Sequence, residues 1–136
     1  MAENIRIEVV TPEHEVVNED AQIVMAPGSL GEFGILIGHT PFMTSLKTGE
    51  VCYNDAGGNK KSVCVSGGFA EALPDKVTIL AESAEKCGDI DVKRASAAKE
   101  RAEGRLVDKG NDDIDFARAR IALERAINRL RIAGGN

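Results

Sequence analysis

Tryptophan is absent from this sequence of 136 residues, and tyrosine occurs only once, at Tyr53. Because aromatic residues make up 4% of the chain, few side chains are available on which the bases of single-stranded nucleic acid could stack. The formal net charge of -5 also argues against a protein that neutralises phosphate backbones with a broad basic surface. Together these features exclude nucleic acid as an expected partner.

Histidine and cysteine are also scarce. The two histidines, His14 and His39, are too few for a multi-histidine metal site, and no Gly-x-Ser-x-Gly motif supplies a nucleophile beside them. Cys52, Cys64 and Cys87 form no CxxC pair, which disfavours a zinc site and favours reduced thiols. We therefore expect no catalytic residue and no metal site.

The sequence also lacks long apolar runs. No stretch of about 18 apolar residues occurs, and the first ten residues show no basic segment followed by an apolar one. We therefore expect neither a membrane span nor a secretory leader. The expected location is the cytosol or the surface of a membrane.

Proline and glycine are concentrated in the first part of the chain. All four prolines and ten of the fourteen glycines lie in residues 1–88, where short apolar runs alternate with turn residues. Runs of this kind at intervals of about ten residues predict an antiparallel sandwich or flattened barrel, with turns at Gly57–Asn59 and Pro74–Asp75. The expected strands are 6–10, 22–26, 33–37, 42–46, 50–53, 62–65, 69–73 and 77–81.

The second part, residues 89–136, contains no proline and is rich in residues of high helix propensity. It predicts a hairpin of two helices that is broken at Gly110–Asn111. A stripe of Phe116, Leu123 and Leu130, with alanines three residues after each, is expected to pack on the other helix. The expected N-caps are Asp89 or Asp91 for the first helix and Asp112 or Asp113 for the second.

Charge divides at the same boundary. Residues 1–88 carry 6 basic and 13 acidic side chains, whereas residues 89–136 carry 11 basic and 9 acidic ones, including eight of the nine arginines. Such arginines are either solvated and paired with carboxylates, or they bind an anionic ligand or an acidic protein segment. Their spacing places two sets on single helix faces, Arg94 with Arg101, and Arg118 with Arg125 and Arg129.

Four segments resemble the epsilon subunit of the bacterial F-type ATP synthase, which is called delta in mitochondria. They are residues 31–41 (GEFGILIGHTP), 65–69 (VSGGF), 75–81 (DKVTILA) and 126–130 (AINRL). The resemblance covers essentially the whole chain, and one departure is Ile37, where the family usually has proline. It implies a ten-stranded β-sandwich at residues 1–88 followed by a two-helix regulatory hairpin at 89–136.

The family's role accounts for the expected lack of a catalytic residue. By resemblance, the chain is a non-catalytic rotor subunit that couples proton flow to ATP synthesis, bound to the gamma subunit and the c-ring. This places it at the cytoplasmic face of the bacterial inner membrane. The resemblance also implies that the hairpin extends toward the alpha/beta hexamer and inhibits ATP hydrolysis, and that Glu32 faces the c-ring.

Residues 90–95 (IDVKRA) match the I/L-D-x-x-R-A motif of those family members whose hairpin binds ATP. By resemblance, ATP is a regulatory ligand and no cofactor is required. Two alternatives remain, a free-standing nucleotide-sensing module and a small β-sandwich hydrolase with a nucleophile near His39. The residues similar to those that line the nucleotide are Glu85, Ile90, Asp91, Arg94, Ala95, Arg101, Arg125 and Arg129.

Overall fold

A computed structural model of the chain describes residues 3–108 and 110–134, which divide into two units between Cys87 and Gly88. The strands are β1 (Ile5–Val10), β2 (Glu15–Gly28), β3 (Gly31–Ile35), β4 (Phe42–Ser45), β5 (Gly49–Asp55), β6 (Lys60–Ala72) and β7 (Lys76–Lys86). A 3-10 turn at Cys87–Asp89 is followed by the two helices of the second unit, α1 (Val92–Val107) and α2 (Phe116–Ala133).

Three strands are longer than the sequence pattern predicts. β2 has 14 residues and pairs with β1 along its first half, then with β3 and β5 along its second half. β6 pairs with β5 as far as Val65 and with β4 from Phe69 onward, while β7 accompanies it along most of its length. The prediction of separate strands at 62–65 and 69–73 is therefore wrong, since both belong to β6.

The ladders arrange the strands as two layers of five segments. One layer has the order β4, β6, β7, β1, β2, and the other has the order β3, β2, β5, β6, β7. The long strands β2, β6 and β7 each contribute one segment to each layer. Counted in this way, the layers hold ten strand segments, and the predicted β-sandwich is confirmed.

Five strands, β1, β2, β5, β6 and β7, form a closed ring in which β1 pairs with both β2 and β7. A ring with an odd number of strands cannot alternate in direction all the way round, so one ladder must be parallel. That ladder joins β1 to β7, from the Arg6–Lys76 pair to the Val10–Leu80 pair. The expectation of a wholly antiparallel sandwich is wrong at this one place.

The core between the layers consists mainly of small aliphatic side chains. Alternate residues of β1 are buried, as the two-residue period of a strand requires. In β6 the period is interrupted, because Val63 and Val65 are buried before the middle of the strand, whereas Ala70 and Ala72 are buried after it. The fully buried residues include Ile5, Ile7, Val9, Val24, Ile35, Val51, Val77 and Ile79.

This interruption coincides with a bend at Gly67 and Gly68, whose φ angles are +69° and +111°. A Cβ atom on Gly68 would collide with the backbone carbonyl of Leu80, so only glycine lets β6 pass this close to β7. β6 therefore continues through this bend as one strand. Ser66 itself is buried, with 2% of its surface exposed.

A polar cluster joins β2, β5 and β6 around the one tyrosine. The Tyr53 hydroxyl donates to Oε2 of Glu19 at 2.7 Å, and Lys61 Nζ lies 3.0 Å from Glu19 Oε1 and 3.3 Å from Asp55 Oδ2. Partial burial alone would raise the pKa of Glu19, but the hydrogen bonds from Tyr53 and Lys61 outweigh burial and lower it. Glu19 therefore remains ionised while it is hydrogen-bonded across three strands.

Both predicted hairpin turns are confirmed. Between β5 and β6, Oδ1 of Asp55 accepts hydrogen bonds from the backbone N–H groups of Gly57 and Asn59, at 3.0 and 2.9 Å. Between β6 and β7, the backbone N–H of Leu73 donates to the carbonyl of Lys76 at 2.8 Å. Side-chain capture of turn N–H groups is the usual reason that aspartate occupies such positions.

Each helix begins at an aspartate. Oδ1 of Asp91 accepts the backbone N–H of Arg94 at 3.0 Å, and Oδ1 of Asp115 accepts that of Arg118 at 3.1 Å. These bonds satisfy N–H groups that have no partner inside the helix. Asp91 was one of the two caps expected for the first helix.

The expectation that Asp112 or Asp113 caps the second helix is wrong. Asn111 accepts two hydrogen bonds from the residues that follow it. The backbone N–H of Asp113 donates to Oδ1 of Asn111 at 2.9 Å, and the N–H of Ile114 donates to the backbone carbonyl of Asn111 at 3.3 Å. These bonds hold residues 111–114 in a turn. The helix therefore begins after Asp115, two or three residues later than expected.

Alanine dominates the packing of the hairpin. α1 and α2 contact each other, and Ala95, Ala102, Ala119 and Ala126 are each at most 4% exposed. Ala119 and Ala126 belong to the stripe predicted for α2. The larger residues of that stripe, Phe116, Leu123 and Leu130, are only partly buried. α2 also buries Asn128 and Ile132. The four buried alanines are small, so the helix backbones can approach closely at these positions.

We expect Gly68→Ala to destabilise the sandwich by more than about 2 kcal/mol, because the new methyl group meets the Leu80 carbonyl at a φ that alanine avoids. Gly104→Ala, inside α1 with no atom near the added methyl, should instead stabilise the helix by about 0.5–1 kcal/mol. Urea unfolding followed by Tyr53 fluorescence for the sandwich and by circular dichroism for the hairpin measures both. Equal sandwich midpoints for Gly68→Ala and the parent chain would contradict this account.

Candidate functional site

An open groove lies along the hairpin. Its charged lining consists of three arginines and one carboxylate, and its apolar lining includes Ile121 and Ala122. The charged residues are Arg105 of α1, Asp115 at the start of α2, and Arg118 and Arg125 of α2. The volume is about 640 Å³, which is within the range of small-molecule sites. At the loop end, a smaller extension of about 330 Å³ is also lined by Asp113, Ile114 and Asp115.

The groove carries a concentration of positive charge. Arg105 and Arg118 are exposed and Arg125 is half-buried. Among residues 3–108 and 110–134, no carboxylate lies within ion-pair distance of Arg105 or Arg118. Guanidinium groups can donate paired hydrogen bonds to phosphate or carboxylate oxygens, so an anionic group is the ligand that suits this surface.

Of the arginines that the resemblance assigned to ATP, Arg125 lines the groove. Arg94 and Arg101 are exposed on the same stripe of α1 as Arg105, and Arg129 is half-buried four residues after Arg125. The resemblance named neither Arg105 nor Arg118 for the ligand. Their spacing was the available signal, since Arg105 follows Arg101 by four residues and Arg118 precedes Arg125 by seven.

The IDVKRA segment has a structural role at the start of α1. Asp91 is the N-cap of α1. Ile90 precedes the cap, and Ala95 is the fourth residue of the helix. These are the two positions that pair in a hydrophobic staple. Ile90 is 8% exposed and Ala95 is 4% exposed. Three of the motif's residues therefore help to start the helix, and the fourth, Arg94, projects an exposed charged group.

The same pattern starts the second helix. Residues 114–119 read IDFARA, so Ile114, Asp115, Arg118 and Ala119 repeat the arrangement of 90, 91, 94 and 95. Asp115 is again the N-cap, and Ala119 is 2% exposed. The repeat is not among the features expected from the sequence, although the two hexapeptides are visible there.

The two acidic residues assigned by resemblance lie in the first unit. Glu85 is half-buried near the end of β7, opposite Cys64 of β6. Glu32 is exposed in β3, opposite Pro27 of β2, and follows the fully exposed Leu30 of the connecting turn. Ile37, the departure from the family pattern, is partly buried and packs against the core.

His39 lies in the loop before β4. Its Nδ1 atom is 2.7 Å from the carbonyl oxygen of Thr40, and its ring lies 5.1 Å from that of Phe42. Neither partner is a nucleophile. This geometry matches a turn histidine and gives no support to a hydrolase that uses His39.

The cysteine thiols are unbridged in the part of the chain that the structure describes. Burial and the hydrogen bond from Cys52 Sγ to Oε1 of Glu50, 2.8 Å long, raise the pKa of Cys52 to about 11. The thiol is therefore protonated at neutral pH and a poor nucleophile. Among the described residues, no group of three histidine, cysteine, aspartate or glutamate side chains could hold a metal ion, and no helix could span a bilayer.

Comparison with known proteins gives matches along both units. The family model for the ATP synthase delta/epsilon chain β-sandwich domain matches residues 4–87, and that for the long α-helix domain matches residues 89–134. The epsilon chain of Desulfosudis oleivorans is 63% identical over 106 residues, which cover 78% of this chain and 80% of the relative. That of Syntrophobacter fumaroxidans is 53% identical over 133 residues, or 98% of each chain.

Solved structures show the same fold. A chain of the mitochondrial ATP synthase of Euglena gracilis matches with a TM-score of 0.80 and 23% identity, covering 98% of this chain and 82% of that one. A chain of the central stalk and c-ring of the Tetrahymena thermophila enzyme matches with a TM-score of 0.56 and 16% identity, covering 98% and 96%. At these identities the likeness concerns the fold alone.

The repeated hexapeptide provides a matched pair of variants. We expect Asp91→Ala and Asp115→Ala each to destabilise the hairpin by about 1 kcal/mol, because each leaves the first turn of a helix without its cap. Asp91→Asn and Asp115→Asn should lose much less, since asparagine also caps. Thermal unfolding followed at 222 nm measures the four variants, and an unchanged midpoint for both alanine variants would show that these caps do not stabilise the helices.

Proposed function

Because the chain belongs to the delta/epsilon chain family of ATP synthase, we propose that it acts as a non-catalytic rotor subunit of the central stalk. The observation that carries this proposal is the match of both units, 4–87 and 89–134, to the two domains of that family. Relatives of nearly identical extent are named ATP synthase epsilon chains. In this role the chain transmits rotation, and the catalytic chemistry belongs to other subunits.

The partners in this proposal are the gamma subunit, the c-ring and the alpha/beta hexamer. The sandwich contacts gamma and the c-ring, with Glu32 on the c-ring side, and the chain stays peripheral at the cytoplasmic face of the bacterial inner membrane. The exposed position of Glu32 in β3, beside the exposed tip at Leu30, supports a contact at this edge.

The hairpin regulates hydrolysis by moving between a compact and an extended state. The packing of α1 on α2 through small alanines supports such a change, because little apolar area must be exposed when the helices separate. Two arrangements of this kind can differ by only a few kcal/mol, so a ligand or partner can shift their populations. The exposed arginines of α2 suit acidic segments of the hexamer in the extended state.

We expect removal of residues 89–136 from the assembled F1 complex to raise ATP hydrolysis, because the inhibitory segment is lost. The shortened chain should still co-purify with gamma, alpha and beta, because the sandwich carries its own core. Steady-state hydrolysis and subunit composition after affinity purification measure both effects. Equal activity with and without the hairpin would reduce the helices to a structural role.

ATP is the regulatory ligand in this proposal, bound to the compact hairpin. Arg94, Arg101, Arg125 and Arg129 face the phosphates, and Glu85, Ile90, Asp91 and Ala95 form the rest of the site. The positively charged groove supports an anionic ligand, and Arg125 is the assigned residue that lines it. Because ATP contacts both helices only when they are together, binding favours the compact state and opposes inhibition.

We expect Arg94→Ala and Arg125→Ala each to weaken ATP binding about tenfold or more, since a charge-assisted hydrogen bond contributes about 1.5–3 kcal/mol. Arg120→Ala is the matched control, because Arg120 is exposed and is separated from Arg118 by about half a turn of α2. Arg105→Ala would not serve as a control, because Arg105 itself lines the groove. Calorimetry of the full chain with millimolar ATP measures the affinities, and equal affinity in all three variants would refute the assignment.

A further inference from the structure

The three cysteines of the chain lie on one face of the sheet, although they are far apart in the sequence. Cys52 is in β5, Cys64 is in β6, and Cys87 follows the last residue of β7. Cys64 is opposite Glu50 of β5 and opposite Glu85 of β7. Because Cys52 and Cys87 are each two residues from one of these partners, each lies diagonally from Cys64 on the same side of the sheet.

The two diagonal pairs differ in how far their backbones can move. Cys52 lies in the interior of the sheet, since β5 pairs with β2 on one side and with β6 on the other. Among the described residues, the second half of β7 pairs with β6 alone, and this ladder ends at Lys86. Cys87 is therefore beyond the last pair, and it is followed by Gly88, which is exposed and has open space around a Cβ placed on it. Of the two pairs, Cys64 with Cys87 is the one whose backbone can adjust.

The adjustment that a bond between Cys64 and Cys87 needs is small. Diagonal neighbours on a sheet have Cα atoms about 7–8 Å apart, whereas a disulfide needs a Cα separation of about 4.4–6.8 Å. Closing this gap takes a shift of about 1–2 Å, which the end of a strand can supply and the interior of a sheet cannot. The thiols are unbridged in the structure, which therefore describes the reduced state.

Exposure gives the two thiols different roles. Cys87 is half-buried, so a small reagent can reach its sulfur, whereas Cys64 is only 3% exposed. Cys52 is also half-buried, but burial and its hydrogen bond to Glu50 raise its pKa to about 11, which keeps the thiol protonated at neutral pH. Attack on a reagent therefore begins at Cys87, and Cys64 is the thiol placed to complete the bond.

We propose that Cys64 and Cys87 form a redox-active thiol pair, which a small disulfide compound such as oxidised glutathione converts to an intramolecular disulfide. The Cys87 thiolate attacks one sulfur of the compound, which gives a mixed disulfide and releases the first half of the compound. The Cys64 thiolate then attacks the Cys87 sulfur and releases the second half. The two protein thiols lose two electrons, and the small disulfide is reduced to two thiols, which take up the two protons.

The bond fixes the boundary between the two units, because Cys87 is the last residue of the first unit. Only residues 88–90 then remain as a free connection before Asp91, the N-cap of α1. The consequence for regulation rests on the proposed function, in which the hairpin moves relative to the sandwich. A shorter connection restricts this movement, so oxidation should slow the exchange of the hairpin between its compact and extended states.

The first test treats the full chain with oxidised glutathione and maps the products by mass spectrometry of unreduced peptides. We expect two peptides joined through Cys64 and Cys87, and we expect dithiothreitol to separate them. Cys52→Ser is the matched control and should form the bond to the same extent, whereas Cys87→Ser should form no internal bond. A bond between Cys52 and Cys64, a mixed disulfide that never closes, or no oxidation of the parent chain would each overturn the proposal.

The second test follows ATP hydrolysis by the assembled F1 complex after a change in ATP concentration. With the parent chain, oxidation should slow the response at least about twofold, and dithiothreitol should restore it. Complexes that carry Cys87→Ser report any effect of oxidation on other subunits.

The outcomes separate this proposal from the one on which it rests. If the bond forms and the response is unchanged, although removal of residues 89–136 raises hydrolysis, the bond does not restrain the hairpin. If that removal has no effect, the proposed regulation by the hairpin fails, while the thiol pair is still decided by the mapped peptides.

Discussion

Strand β6 passes from one layer of the sandwich to the other where the backbone of Gly68 runs against the carbonyl of Leu80. The layers depend on this close passage, because β6 pairs with β5 before it and with β4 after it. The set of inward-facing residues changes from odd to even numbers at the same point, so that both halves of the strand still face one core. A side chain at position 68 would separate β6 from β7 and open the sandwich at its middle.

The hairpin is organised differently, because the residues that most clearly determine its structure lie at the start of each helix. Each helix begins with the same arrangement of an apolar residue, an aspartate cap, an arginine and a buried alanine. Because the caps act within each helix, they stabilise α1 and α2 whether or not the two are packed together. The contacts between the helices, which include those of the buried alanines, belong to the packed arrangement. The helices can therefore persist as helices while their relation to each other changes.

The sequence predicts the sandwich, the hairpin and both hairpin turns, because alternation, helix propensity and turn residues are local signals. It does not predict that 62–65 and 69–73 are one strand, because the change of parity at Gly67–Gly68 looks like a strand end. Nor does it predict the parallel ladder of β1 with β7, which follows from closing an odd ring of strands. The cap of α2 was misplaced because four residues, 112–115, contain three aspartates that compete for the same role.

The candidate site was predictable to a smaller extent. The spacing of arginines correctly indicated charged helix faces, and the structure places Arg125 in the groove. The position of Arg105 beside Arg118 depends on how the two helices are aligned, which is a property of their packing and not of either sequence segment. The match of residues 90–95 to the ATP-binding motif has two interpretations, because the repeated hexapeptide shows that the same residues also start a helix.

The parallel ladder between β1 and β7 also determines when the sandwich can form during synthesis. Residues 5–10 pair with β2 early, but their other edge must wait for residues 76–80, about seventy positions later in the chain. Until then the ring is open and β1 and β6 each present an unpaired edge, which invites pairing with other chains. Contacts of such long sequence separation also slow folding. The sandwich is therefore completed just before the helices leave the ribosome, and the N-terminal strand is the element most exposed to misassembly in the meantime.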